Sequence, residues 1–199
     1  MKKFLPALAA IGALTLAGCT ATGAGPAGST GSTSPAATAP AEIDAVLASA
    51  GLEGQDAEQV VAALEASTDD RTAGPVGSVR YDHVLLTGSA GEAAMPLPDD
   101  LFYLSIAPYV ERTHDCFYHN LATCQGELAG ESVHVTVTDE AGATVVDQDV
   151  TLQANGFTGL WLPRDTTGEL TVTYEDKRAT TPIATGPEDP TCLTTLRLS

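Results

Sequence analysis

The chain has 199 residues and a formal net charge of −17 at pH 7, with 26 acidic residues against 9 lysines and arginines. Proteins that bind nucleic acid carry a basic face toward the phosphates, so this balance excludes nucleic acid and also argues against anionic lipid as an electrostatic partner. Once the N-terminal segments described next are set aside, about 160 residues remain, enough for one ordinary domain with its own core.

The first residues have the features of an export signal that ends in a lipid attachment site. A lysine pair precedes an apolar run from 4 to 17, which is typical of a secretory signal and is too short to span a membrane as a helix. Leu16-Ala17-Gly18-Cys19 reads as a lipobox, in which cleavage makes Cys19 the lipidated N-terminus. We therefore expect residues 1–18 to be a signal peptide, and the exported protein to be anchored by lipid on the outer face of the cytoplasmic membrane. An ordinary signal with a chance cysteine is the alternative.

Residues 19–41 are predicted to be the lipidated cysteine followed by a flexible linker. Beyond Cys19 this segment contains only Gly, Ala, Ser, Thr and Pro, with no charge and little to bury. Such a composition cannot offset the entropy lost on ordering.

Residues 42–77 are predicted to form a helical segment with two short helices. The first has an apolar face and stops at Gly51. The second opens with Asp56 and Gln59, which resemble a capping box. Its apolar stripe consists of Val60, Val61 and Leu64.

From residue 78 onward the apolar residues recur at every second position in several segments, which predicts β-strands. The predicted strands are Val79–Leu86, Leu101–Ile106, Val133–Val137, Thr144–Leu152, Leu170–Tyr174 and Leu193–Leu198. Residues 112–130 show neither the apolar period of a helix nor that of a strand. The sequence therefore predicts an α+β fold, in which a short helical N-terminal segment precedes a mostly antiparallel, sandwich-like β domain over 78–199.

The cysteine count is uneven for an exported protein. The chain has four cysteines, and the lipid would take Cys19, which leaves Cys116, Cys124 and Cys192. An odd number means that at least one thiol is free, bonded to another molecule, or bound to metal in a compartment that oxidises thiols.

Two of these cysteines and two of the four histidines lie within twelve positions. They are His114, Cys116, His119 and Cys124, and a single helical turn would place Cys116 and His119 on one face. Cys192 is distant in sequence but could complete the site in space. Three thiolates, or two with an imidazole, suit Cu(I), or Zn(II) with a fourth ligand.

Spacing alone leaves a second interpretation of the cysteines open. Cys116 and Cys124 could form a small-loop disulfide, with Cys192 left as a buried and inert thiol. The seven-residue gap is neither a zinc-finger nor a thioredoxin spacing, which disfavours a dithiol oxidoreductase. His83 and His134 lie on predicted strands and are interpreted as strand residues rather than ligands.

Four segments resemble the CueP family of exported copper-resistance proteins, and the three cysteines stand at that family's spacings. The segments are Thr113–Leu128, Tyr103–Tyr109, Gly156–Arg164 and Thr191–Leu196. The resemblance implies copper binding by Cys116, Cys124 and Cys192, with reduction of Cu(II) to Cu(I). It also implies supply of copper to an exported copper-zinc superoxide dismutase, a disulfide-isomerase-type partner that keeps the thiols reduced, and a helical segment that supports a homodimer.

The leading hypothesis is an extracytoplasmic lipoprotein that sequesters Cu(I), with Cys116, Cys124 and Cys192 as ligands, His119 as an auxiliary ligand and His114 as a weaker candidate. A structural zinc site of three cysteines and one histidine is the second hypothesis. A plain envelope β domain with one disulfide and no metal is the third, and Cu(II) reduction as the main activity is the fourth.

Overall fold

The computed structural model describes residues 38–67 and 76–199. The predicted signal peptide, Cys19 and most of the predicted linker lie outside the described residues, as does most of the turn-rich segment that follows the helices. No helix within the described ranges is both long and apolar enough to cross a membrane.

Two helices precede the strands, as the sequence predicts. They are α1 (Pro40–Ser49) and α2 (Ala57–Ala66). Gly51 follows α1 with φ of 69°, a left-handed conformation that glycine adopts without steric cost. The capping box of α2 is also confirmed, since Gln59 N donates to Asp56 Oδ1 at 2.9 Å and Asp56 N donates to Gln59 Oε1 at 3.0 Å. Helix α1 starts at Pro40, two residues before the predicted start of the helical segment at 42.

The rest of the described chain forms three small sheets. The strands are β1 (Val76–Val79), β2 (His83–Gly88), β3 (Gly91–Pro96), β4 (Leu101–Ile106), β5 (Ser132–Asp139), β6 (Thr144–Thr151), β7 (Thr158–Pro163), β8 (Thr167–Tyr174), β9 (Lys177–Ala184) and β10 (Cys192–Leu193). Their orders are β1-β2-β3, β10-β4-β7 and β6-β5-β8-β9. Every pair is antiparallel except β10 with β4, which is parallel, so the predicted α+β class with mostly antiparallel sheets is confirmed.

Strand β4 separates two hydrophobic cores. Its residues Phe102, Leu104 and Ile106 pack in a core with the four-stranded sheet, whereas Tyr103 packs in a second core with both helices and β1–β3. Because side chains alternate across a strand, a nearly continuous apolar run is required for burial on both faces. This is why the segment Leu101–Ile106 lacks the polar alternation of a surface strand.

Several strand predictions differ from the structure. The predicted strand Val79–Leu86 is divided by a turn in which Arg80 N donates to His83 O at 2.8 Å, and its halves pair as the β1–β2 hairpin. The predicted strand Leu193–Leu198 is also wrong in extent, since only Cys192–Leu193 form β10, with an isolated bridge from Tyr109 to Arg197 beyond it.

Candidate metal centre

All the candidate ligands except Cys192 lie on the long connection between β4 and β5, which is fixed to β1 by backbone hydrogen bonds. Val79 N donates to His119 O, and Leu121 N donates to Gly77 O, each at 2.8 Å. Leu121 is fully buried in the core that the helices share with β1–β3. The segment around His119 therefore extends the edge of a sheet and has a defined position although it has no regular structure.

A buried threonine joins this connection to the segment that carries Cys192. Thr191 Oγ1 accepts a hydrogen bond from His119 N at 3.0 Å and donates one to Val79 O at 2.9 Å. The next residue, Cys192, donates its N–H to Phe117 O at 3.1 Å. The parallel pairing of β10 with β4 thus places the distant third cysteine beside the other two.

An asparagine turn positions Cys124. Asn120 Oδ1 accepts the backbone N–H groups of Ala122 and Thr123, each at 3.1 Å, and Cys124 N donates to Asn120 O at 3.1 Å. Asparagine favours such turns because its short side chain bonds the backbone two or three residues on.

Two glycines bring another turn against the same site. Gly126 N donates to Asn155 O at 2.6 Å, and a Cβ added to either Gly126 or Gly156 would collide with backbone atoms of the other. Gly156 also has φ of 79°. Only glycines allow this approach, which places the ring of Phe157 in a small buried cluster with Ala107 and Cys192.

The structure brings four of the predicted residues together: Cys116, His119, Cys124 and Cys192. One ligand atom from each lies within 4.8 Å of all the others. The Sγ atoms of Cys116 and Cys124 are 3.6 Å apart, as are Cys192 Sγ and His119 Nδ1. The assumed helical turn is absent between residues 112 and 119, so the proximity arises from the contacts to β1 and β10 instead.

The site is open on one side. His119 is fully buried and Cys192 is 2% exposed, whereas Cys116 and Cys124 are half-buried. An incoming ion or thiol would therefore reach the cluster through Cys116 and Cys124.

Cys116 and Cys192 form a disulfide, with their Cα atoms 5.6 Å apart, and Cys124 is a free thiol. The predicted small-loop pairing of Cys116 with Cys124 is not present in the structure. The pairing of β10 with β4 explains the difference, because it places Cys192 within bonding distance of Cys116. Cys192 is therefore buried but not the inert thiol that the alternative required.

The electrostatics of His119 and Cys124 are coupled. Burial alone would lower the pKa of His119, but hydrogen bonds with Cys124 and Glu65, together with their charges, raise this pKa to about 9. Burial alone would raise the pKa of Cys124, but the hydrogen bond with His119 and contact with the Asn120 backbone give a net lowering of this pKa. A thiolate is thus favoured at Cys124, and thiolate is the form that binds metal.

Glu65, which lies on α2 and contacts His119, was not predicted as a site residue. Its Oε2 and Oε1 atoms lie 2.9 and 3.1 Å from His119 Nε2, and the residue is 3% exposed. Its position four residues after Val61 places it on the apolar stripe of α2. An acidic residue on that stripe is the sequence feature that could have identified it.

The other predicted or considered histidines lie apart from this cluster. The half-buried His114 has its ring 6.0 Å from that of Phe157, and its Nε2 has no hydrogen-bond partner among the described residues. His83 contacts Asp82 at 2.7 Å. His134 is exposed between Asp147 and Asp149 on the four-stranded sheet, as expected for a strand residue.

Comparison with known proteins places the whole cluster inside a recognised family region. The model of a family described as "Periplasmic copper-binding protein CueP" matches residues 59–197, which include α2 from Gln59 onward and all four clustered residues. A solved structure described as "Crystal Structure of S.CueP" is similar at a TM-score of 0.75 and 40% identity, over 79% of this chain and 97% of that one. No match was found among curated proteins.

Proposed function

Because the chain belongs to the CueP family of periplasmic copper-binding proteins, we propose that it sequesters Cu(I) outside the cytoplasm through the thiolates of Cys116, Cys124 and Cys192. His119 serves as an auxiliary ligand. The observation that carries this proposal is the convergence of three sulfur atoms and one imidazole nitrogen within 4.8 Å. Copper is the protein's cargo, taken up at the open side of the site.

The donor set favours a soft ion. Thiolates select Cu(I), and copper also heads the order of affinities for divalent metals. Three cysteines and one histidine would also suit a tetrahedral zinc ion. The family match supports copper over zinc as the bound metal. A competition experiment between the two metals tests this choice.

The redox chemistry of the cysteines supports a further part of the proposal, reduction of Cu(II). Two thiols would pass one electron each to two Cu(II) ions, which yields one disulfide, two Cu(I) ions and two protons. The bonded pair of Cys116 and Cys192 is a candidate product of this step. An external thiol-disulfide reductase or isomerase would then restore the ligands, and the Cu(I) would pass to an acceptor such as an exported copper-zinc superoxide dismutase.

A homodimer formed through the helical segment remains part of the proposal on family grounds. The helices of one chain already pack on its own β1–β3 through residues such as Val46 and Val60. Any dimer contact would therefore use their exposed faces.

The proposed test is Cu(I) titration of the full-length chain, purified in detergent, reduced and without oxygen, against a competing chelator. We expect one tightly held Cu(I) per chain and three reactive thiols before loading, because three convergent thiolates form one trigonal site. Zinc added in equal amount should not displace the copper. Retention of zinc in preference to copper, or of neither metal, would contradict the proposal.

We also propose that Cys19 carries the lipid that holds the protein at the membrane, because the lipobox places it at the cleavage point. Cys19→Ala should release the protein from the membrane fraction, whereas the neighbouring Thr20→Ala should leave it there. Mass spectrometry of the mature chain checks the modification. Membrane retention of the Cys19 variant, together with an unlipidated wild-type mass, would show the anchor to be absent.

A further inference from the structure

The buried carboxylate of Glu65 is held by three side chains from three other parts of the fold. It accepts hydrogen bonds from Tyr103 Oη at 2.9 Å, Asn155 Nδ2 at 2.6 Å and His119 Nε2 at 2.9 Å. All four residues are at most 4% exposed. A buried charge is costly unless it is fully hydrogen-bonded, and here both oxygens are satisfied.

These contacts determine which nitrogen of His119 faces the cysteines. A carboxylate can only accept hydrogen bonds, so His119 Nε2 carries the hydrogen that points to Glu65. The other nitrogen, Nδ1, is 3.6 Å from Cys192 Sγ. In metal sites a ligating histidine usually donates its second N–H to a carboxylate or carbonyl, which fixes the orientation of the ring.

The residues around this network restrict the movement of Glu65 and His119. Asn155 Oδ1 accepts Phe157 N at 2.9 Å, which turns its amide nitrogen toward Glu65. The ring of Phe157 lies 4.7 Å from that of His119 and covers it. Tyr103 reaches Glu65 from β4 and packs against Trp161 with ring centroids 4.8 Å apart. The carboxylate therefore has little freedom to move away from His119.

Packing alone does not account for a carboxylate at this position. Glu65 belongs to the same helix face as Val61 and Leu64, which are buried in a core of apolar side chains. An apolar residue of similar volume often stabilises such a position as well as a buried ionic network or better. The acid is explained by its contact with a candidate ligand.

From these contacts we infer that Glu65 is a positioning residue of the copper site, which holds His119 with Nδ1 directed at the three sulfur atoms. Helix α2 is thereby a structural part of the metal centre rather than only an appended segment. The inference rests on the proposed function, since it assigns a role to His119 as a copper ligand.

The test is the Glu65→Gln variant of the full-length, reduced chain. The amide keeps the volume but offers one acceptor oxygen to three donors, so the ring of His119 loses its fixed partner. We expect Cu(I) affinity to fall about 10–100-fold, as for other groups that orient a metal ligand. X-ray absorption at the copper edge should lose its imidazole scattering. Glu58→Gln is the matched control, since Glu58 is an exposed acid on the same helix.

A double-mutant cycle separates positioning from a general loss of structure. If Glu65 acts through His119, then Glu65→Gln combined with His119→Gln should bind copper no more weakly than His119→Gln alone. Additive losses in the double variant would overturn the inference. So would wild-type affinity and unchanged imidazole scattering in Glu65→Gln.

A metal-free measurement distinguishes failure of this inference from failure of the proposed function. In the reduced, copper-free chain, ¹⁵N NMR should detect a His119 Nε2–H that exchanges slowly with water, and Glu65→Gln should accelerate that exchange. If Glu65→Gln does not fold, Glu65→Asp, which keeps the charge but shortens the reach, should show intermediate exchange and affinity. Fast exchange at Nε2 in the wild type would refute the inference even if copper binds, whereas slow exchange without copper binding would refute only the proposed function.

Discussion

Replacing Cys192 with serine is expected to abolish tight Cu(I) binding although this residue lies 76 positions from Cys116. Its sulfur faces His119 Nδ1 at 3.6 Å and belongs to the four-atom cluster. A serine hydroxyl is a hard, neutral ligand that Cu(I) disfavours. The affinity should fall by more than the roughly 10–100-fold that follows loss of an orienting group, as measured by competition with a Cu(I) chelator.

The matched control is Ala107→Ser, which adds a hydroxyl to the same buried cluster while all three thiols remain. It should bind Cu(I) as the wild type does, after correction for any loss of folded protein. Full affinity in the Cys192 variant would remove this residue from the ligand set and would favour a site of Cys116, Cys124 and His119 alone.

Oxidation of the protein is expected to release its copper. The disulfide between Cys116 and Cys192 occupies two of the three sulfur atoms proposed as ligands and leaves one free thiol at Cys124. Since thiolates and not disulfides bind copper, the oxidised chain should retain little Cu(I), and reduction should restore binding. Adding Cu(II) to the reduced, copper-free chain should produce two Cu(I) ions for each disulfide formed.

Free-thiol counting and disulfide mapping by mass spectrometry check this prediction, with Cys124→Ser as the comparison. That variant keeps the bonded pair and should still form one disulfide per two Cu(II) reduced. Mild oxidation that leaves copper binding undiminished, in protein shown to contain the Cys116–Cys192 bond, would contradict both the ligand assignment and the redox step. A bond mapped between Cys116 and Cys124 would contradict the pairing seen in the structure.

The helices and the better-alternating strands could be predicted from sequence because their signals are local. The capping box of Asp56 and Gln59 and the glycine after α1 each specify one boundary, and both occur as expected. Strands β3, β7 and β9 were not predicted because they lack a clear apolar alternation. Strand β9 also contains Pro182, which tertiary structure tolerates at the edge of the four-stranded sheet.

The clustering of four candidate residues could also be predicted, whereas the way they meet could not. An odd cysteine count and the proximity of Cys116, His119 and Cys124 in sequence pointed to the site without any structural information. The disulfide partner depends on the register of β10 against β4, a contact between distant segments that leaves no local pattern. Asn155 could not be recognised from the sequence as part of the site, because a polar residue before a glycine is typical of an ordinary turn.

The order in which the chain emerges during export has a consequence for loading. Cys116 and Cys124 emerge first, and Cys192 follows only after the strands from β5 to β9 have passed. The parallel pairing of β10 with β4, which positions Cys192, is a long-range contact. Such contacts form slowly because a large loop must close first. We therefore expect copper to be captured by the completed domain and not by the nascent chain, so that a partly exported molecule would not withdraw metal from the envelope.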